Sequence, residues 1–184
     1  MLFQSKIINV VYYKTANVFK NETDKPQKLN SVSTKTSSPD ASVEYSIYRV
    51  DDNTTDPEDG TLLDRKNATY DYRGFHREKL DESIVIMPGE TFSIVAEESA
   101  IIDGQKKYGC SVNTGGDEEI SRQMGAPSYC AAVVNPGESF YYNAGKWTDW
   151  TQVIPDVKAS IENGEHYAID NFSIKAYMEE AYGM

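Results

Sequence analysis

The sequence predicts an all-β fold, a β-sandwich or jelly roll of about ten short antiparallel strands. Three observations lead there. Runs rich in Val, Ile, Tyr, Phe and Thr recur along the chain, punctuated by Gly, Pro, Asn and Asp turn signals. One run, Ala41–Val50, alternates cleanly, with Val43, Tyr45 and Ile47 on one face and Glu44, Ser46 and Tyr48 on the other. The composition, with 13 Tyr, 12 Gly and 7 Pro, suits sheets and turns better than helices. No internal repeat is visible.

Taken in order, residues 6–13 and 16–20 read as strands with a short break at Lys14-Thr15, followed by a turn at 21–27 around Asp24 and Pro26. Residues 28–36 alternate as a half-exposed strand, and Ser37-Ser38-Pro39-Asp40 turns the chain into Ala41–Val50. Residues 51–60 form an acidic loop, and 61–64 a short strand. Residues 70–80 read as a long strand with a bulge at Gly74. Residues 83–87 lead into the turn Met87-Pro88-Gly89-Glu90. Residues 91–97 then set Phe92, Ile94 and Ala96 against Ser93, Val95 and Glu97. Residues 106–112 precede a Gly-rich polar loop at 113–117, and 131–134 enter a hairpin. Beyond it, 156–161 fit one helical turn, and 171–177 close the domain as a strand with Phe172, Ile174 and Ala176 on one face.

That hairpin, residues 134–150, holds both tryptophans. Asn135-Pro136-Gly137 and Asn143-Ala144-Gly145 are turn signals, with strands expected at 138–142 and 146–150. A two-residue Ala144-Gly145 loop, or a four-residue loop, sets Tyr142 opposite Trp147; a three-residue loop sets Tyr141 there instead. Alternation sends Tyr141 and Tyr142 to opposite faces, and likewise Trp147 and Trp150. One ring of each pair therefore enters the core and the other faces water. A surface Trp beside a Tyr, with Asn143, Thr148 and Asp149 nearby, has the composition of a sugar-stacking platform. The plainer alternative is a ring that caps the sandwich edge.

At 184 residues the chain fits one domain, residues 1–184, and its start close to a strand suggests a fragment of a longer protein. A hydrophobic content of 39% with 26% charged residues makes it globular rather than disordered. The net charge of −11 repels phosphate backbones and anionic membranes, which argues against nucleic acid as a partner. No apolar run approaches the roughly 20 residues that cross a bilayer, and no secretory signal precedes residue 7. As an isolated domain it is expected to be a monomer.

Candidate chemistry is sparse. The carboxylates of 51–59 could gather calcium, but the spacing is not that of an EF-hand, and a solvated loop is the alternative. No other cofactor is indicated. A bridge between Cys110 and Cys130 would stabilise by about 3 kcal/mol if geometry allows; free buried thiols are equally compatible with the sequence. The two histidines, His76 and His166, lack a nucleophile signature around them and read as structural. Zinc-ligand clustering and phosphate-loop spacing are missing. Asn21, Asn53, Asn67 and Asn171 stand in Asn-x-Ser/Thr sites, which matter only in a glycosylating host.

Several stretches in order carry a resemblance: Ala16-Asn17-Val18-Phe19-Lys20, Lys28-Leu29-Asn30-Ser31-Val32, Tyr45-Ser46-Ile47-Tyr48, Gly60-Thr61-Leu62-Leu63 and Tyr72-Arg73-Gly74-Phe75-His76. The order continues through residues 87–95, Pro136-Gly137-Glu138-Ser139-Phe140, Gly145-Lys146-Trp147-Thr148-Asp149 and Phe172-Ser173-Ile174-Lys175-Ala176. Together they resemble the lectin-like domain that accompanies papain-type cysteine peptidases in secreted, cell-surface proteins of clostridia and related anaerobes. The resemblance spans nearly the whole chain, although residues 103–130 have no counterpart in it. It implies a β-sandwich exported to the cell surface beside a peptidase or adhesive modules. It supplies no sugar-site residues.

The reading that results is a non-catalytic accessory domain of an extracellular bacterial protein that binds glycan. Trp147 or Trp150, with Tyr141 or Tyr142, would stack on sugar, oriented by Asn143 and Asp149. The alternative is a structural or protein-interaction domain that packs against an adjacent peptidase or adhesin module.

Overall fold

The structure, a computed structural model, describes residues 14–126, 128 and 131–181. Among these residues lie twelve strands. They are β1 (Lys14–Lys20), β2 (Gln27–Thr36), β3 (Ala41–Val50), β4 (Gly60–Tyr70), β5 (Gly74–Ile86), β6 (Thr91–Ile102), β7 (Gln105–Gly109), β8 (Val112–Gly116), β9 (Ser139–Asn143), β10 (Lys146–Asp149), β11 (Tyr167–Phe172) and β12 (Lys175–Glu180). Two short helices join them, α1 (Glu118–Gln123) and α2 (Ile154–Ser160). The larger sheet has the order β10-β9-β1-β6-β3-β4, and β6 is long enough to pair with β1 and then with β7. A second sheet, β12-β2-β5, packs across from it, and β11 pairs with β8. All these pairings are antiparallel, so the chain is an all-β sandwich.

Strand alternation places the core. Val43, Tyr45 and Ile47 of β3 and Phe92, Ile94 and Ala96 of β6 meet Leu29 and Val32 of β2 and Leu80 and Ile86 of β5. Trp150, Ile169, Phe172 and Ile174 close one side of this cluster. Each large apolar side chain buried this way contributes roughly 1.5–3 kcal/mol. Tyr45 keeps its hydroxyl beside that of Tyr70, 3.3 Å away, and burial pushes its phenol far above the usual range.

The opposite face of the larger sheet is apolar too. Ala16, Tyr48, Val50, Val95 and Phe140 form a second buried cluster, with Val18 and Trp147 packed against it. An outer face of that kind needs a cover, and the loop after β3 supplies it. Pro57 is fully buried, and its carbonyl accepts a 2.5 Å bond from Ser93 Oγ on the outward side of β6. The acidic loop is thus a third layer over part of the sheet.

Several expectations need correcting. Lys14-Thr15 belongs to β1 rather than to a break. The strand expected at 61–64 extends to Tyr70; β4 is a sheet edge whose Asp64, Arg65, Lys66 and Asn67 obscure the apolar period. Gly74, at φ +142°, opens β5 after a turn and is not a bulge. The Gly-rich segment expected as a loop at 113–117 lies mostly in β8, which ends at Gly116. The closing strand is two, broken at Ser173-Ile174. Helix α1 was not expected: Asp117 caps it by accepting from Ile120 N–H at 2.9 Å. Helix α2 starts earlier than the single turn expected, with Pro155 in its first turn. Residues 6–13 and Cys130, and with them the Cys110–Cys130 bridge, lie outside the described residues.

Candidate functional site

The tryptophan hairpin turns through Ala144 and Gly145, both at positive φ (50° and 85°), the conformation of a two-residue turn that matches strand twist. It pairs Lys146 with Asn143 and Trp147 with Tyr142, the register expected for a two-residue loop. Phe140, Tyr142, Trp147 and Asp149 consequently share the outer face, and Tyr141 turns inward. At Trp150 the strand gives way to a 3-10 turn, Trp150–Gln152, capped by the Asp149 side chain.

The two indoles end in different surroundings. Trp150 is 2% exposed; its Nε1 donates to the Asp170 carbonyl at 3.2 Å, and its ring lies 4.8 Å from Phe172 and edge-on to Tyr141 at 5.9 Å. Trp150 is a core residue, and Tyr141, half-buried, packs against the same cluster on the inner side of the sheet. Trp147 is half-buried, edge-on to Tyr142 at 5.3 Å, and its Nε1 donates to Glu58 Oε2 at 3.3 Å. Glu58 also holds Lys14 at 2.9 Å, and Lys14 Nζ sits 5.5 Å from the Tyr142 ring centroid. Burial works against the Lys14 charge, but Glu58 outweighs it and keeps the ammonium above its ordinary pKa.

Beside Trp147 opens a groove of about 400 Å³. Asn53, Thr54 and Thr55 at the tip of the acidic loop form one wall; the rest is the turn at Pro136-Gly137, Phe140, the run from Lys146 to Asp149 that includes Trp147, and Gln152. Asn53 has φ 64°, a left-handed conformation that Asn tolerates better than most residues. Asp149 shapes the groove. Its Oδ2 accepts from Gly137 N–H at 2.6 Å, and its Oδ1 accepts from Thr151 N–H at 2.8 Å and Thr151 Oγ1 at 2.6 Å. The 135–138 turn is pinned in the same way: Glu138 accepts from Asn135 N–H at 3.0 Å and Asn135 Nδ2 at 2.7 Å. Burial opposes ionisation of Glu138, but the bonds from Asn135 and Asn171 outweigh it and hold the carboxyl below its usual range.

Of the six residues singled out from the sequence, Trp147 and Asp149 line the groove. Tyr142 abuts Trp147 from behind, Asn143 stands at the hairpin tip outside the groove, and Tyr141 and Trp150 are inside the sandwich. Sequence reasoning missed Glu58, Lys14, Gln152 and the loop tip. No local signal marks them, because Lys14 and Glu58 are 44 residues apart and meet only once the loop folds over the sheet.

The carboxylates of the acidic loop go to separate partners. Asp52 takes Lys20 at 2.5 Å and the Thr91 hydroxyl, Asp56 accepts from Glu58 N–H at 2.8 Å, and Glu58 holds Lys14 and Trp147. The hydrogen bond from Lys20, then that from Thr91, hold the Asp52 carboxyl below its usual range. Among the described residues no three His, Cys, Asp or Glu side chains converge as metal ligands do. His76 stacks on Tyr70 at 3.9 Å and bonds the Tyr72 carbonyl at 2.8 Å, and His166 pairs with Asp117 at 2.8 Å. Both are structural contacts. No helix among the described residues is long and apolar enough to cross a membrane.

Comparison with known proteins bears on the same architecture. No curated protein matches the chain in sequence. The crystal structure of the cysteine protease and lectin-like domains of Cwp84, a surface layer associated protein of Clostridium difficile, is similar with a TM-score of 0.60 at 23% identity. The likeness covers 91% of this chain and 32% of that one. A second structure, the clostridial cysteine protease Cwp84 after propeptide cleavage, has a TM-score of 0.59 at 22% identity and covers 95% of this chain and 37% of its own. The chain therefore spans about a third of the length of these relatives, and at such identities the likeness concerns the fold. The family model described as "Lectin like domain" matches residues 6–178, nearly the whole sandwich, and the chain belongs to that family.

Proposed function

We propose that this chain is a non-catalytic accessory domain of an exported, cell-surface protein and that it binds glycan in the groove beside Trp147. One observation carries the reading. A half-buried indole, fixed by Glu58 and Tyr142, borders a groove lined also by Asn53, Gln152 and threonines, by Phe140, Lys146 and Asp149, and by the turn at Pro136-Gly137. A sugar ring offers an apolar face to such an indole and hydroxyls to such amides, and a small set of placed polar groups in a largely apolar cleft is how ligands are oriented. Asp149 acts by holding the groove's turns together, and Tyr142 by backing the indole. Family membership and the likeness to a surface-layer associated protein support the accessory, extracellular part of the reading.

The test is a titration of intrinsic tryptophan fluorescence with a panel of oligosaccharides. A bound sugar shifts the Trp147 emission, and Trp147→Ala weakens binding at least about tenfold while the protein stays folded by circular dichroism. A second reading, an interaction domain for a neighbouring module, is favoured by one feature. Tyr72, in the turn after β4, and Ile101 and Ile102, the last two residues of β6, are 79%, 69% and 38% exposed at the same end of the larger sheet. Emission unmoved by every sugar would select it.

A further inference from the structure

We infer that the groove takes uncharged glycans and turns away acidic ones, an inference that rests on the glycan-binding reading above. The charges around the groove lean one way. The loop that forms its wall carries Asp51, Asp52, Asp56, Glu58 and Asp59, and Asp149 lies in its lining. Two nearby lysines are already paired, Lys14 with Glu58 and Lys20 with Asp52. Lys146 is the one basic side chain among the lining residues, and no arginine joins it. Recognition of a carboxylate or phosphate favours a guanidinium fork or converging lysines, which this lining lacks. An acidic glycan would instead meet the loop that carries Asp51 and Asp59, both exposed and in no ion pair among the described residues, and like charges repel over a Debye length, roughly 8 Å at physiological salt.

The same loop carboxylates attract the ammonium of an amino sugar, although inside the groove the one carboxylate of the lining is already engaged. The groove's own carboxylate, Asp149, already accepts three hydrogen bonds across its two oxygens, and Asp52 and Glu58 hold lysines. Beside the single ammonium of Lys146, the lining presents neutral groups: the amides of Asn53 and Gln152 and the hydroxyl of Thr55. Amides and hydroxyls both donate and accept, which matches hydroxyl and N-acetyl groups and gives no advantage to an ion. The net charge of −11 acts over longer range in the same direction, slowing the approach of any polyanion.

The experiment compares length-matched tetramers on the full chain at 0.15 M NaCl, following tryptophan emission. The probes are a cello-, a chito- and a manno-oligosaccharide, the galacturonate tetramer, its methyl ester, and the glucosamine tetramer. At least one neutral tetramer binds, and the galacturonate tetramer binds about tenfold or more weakly than its own methyl ester. The double variant Asp51→Asn with Asp59→Asn, both positions being exposed, narrows that gap and leaves the neutral affinity where it was. Galacturonate binding equal to or tighter than its methyl ester overturns the charge inference alone, as does glucosamine binding weaker than every neutral tetramer, or a gap that neither the double variant nor 1 M salt changes. Silence across the whole panel overturns the glycan reading itself.

Discussion

Trp147 and Trp150, three residues apart, have opposite roles because the backbone changes character between them. Alternation along β10 puts Trp147 outside, and the 3-10 turn begun by the Asp149 cap swings Trp150 beneath the sheet onto Phe172. That one ring goes in and one out is expected from alternation along a strand at 146–150, but the strand ends at Asp149 and the 3-10 turn, not alternation, takes Trp150 inward. Which ring goes where depended on the turn at Ala144-Gly145 and on a cap whose partners, Gly137 and Thr151, flank the hairpin. The two positions should respond differently to truncation. Trp150→Ala removes a fully enclosed indole and lowers stability by about 3–5 kcal/mol, read by urea denaturation. A loss below about 1 kcal/mol would mean the ring is not the keystone its surroundings suggest.

Among the elements, the long alternating strands were readable and the short capped ones were not. Ala41–Val50 is a strand in the sequence and in the structure because each face of β3 has its own apolar cluster to bury. Helix α1 is six residues with none buried, so no periodic apolar stripe announces it. It is held by its cap, Asp117, and by the pairing of Asp117 with His166. The hydrogen bond to Asp117 raises the His166 pKa, so its contribution is complete below the ordinary imidazole range and fades as pH rises through the raised value. Asp117 is held below the usual carboxylate range first by Ile120 N–H and then by His166. Its contribution is complete above that range and fades as pH falls through the lowered value. The clasp is therefore strongest between about pH 4 and 6.5. Glu119 and Glu165 also face His166 and reinforce its charge. Amide exchange in α1, corrected for intrinsic rate, should accelerate above this window, and His166→Gln should remove that dependence. Protection unchanged from pH 5 to pH 9 in the parent protein would refute the clasp.

At the scale of the whole molecule, the sandwich class follows from strand patterning alone, but the ties between layers do not. Asn17 of β1 donates from Nδ2 to the carbonyls of Phe172 and Ile174, at 2.9 and 3.1 Å, joining residues 155 and 157 positions apart. Its Oδ1 lies 2.7 Å from Ser139 Oγ on β9. In the sequence it is one Asn in a strand. Here it bonds two carbonyls at the break between β11 and β12, that of Phe172 also accepting from Ile174 N–H, and Asn17→Ala should cost about 2–3 kcal/mol, measured by thermal or urea unfolding. A near-neutral result would show that water takes over those carbonyls. The loop over the outer face was equally hidden, since acidic turn-rich composition is what a solvated loop also shows.

The anchors of that loop and its tip are separate residues. Asp52, Pro57 and Glu58 fasten it to the sheet, while the bonds of Thr54 stay within the loop and Asn53 and Thr55 look into the groove. Replacing the tip therefore leaves the mount untouched. Sister chains that diverge at those two or three side chains reshape the groove without renegotiating how the sandwich folds, much as a tool keeps its handle when the bit is exchanged.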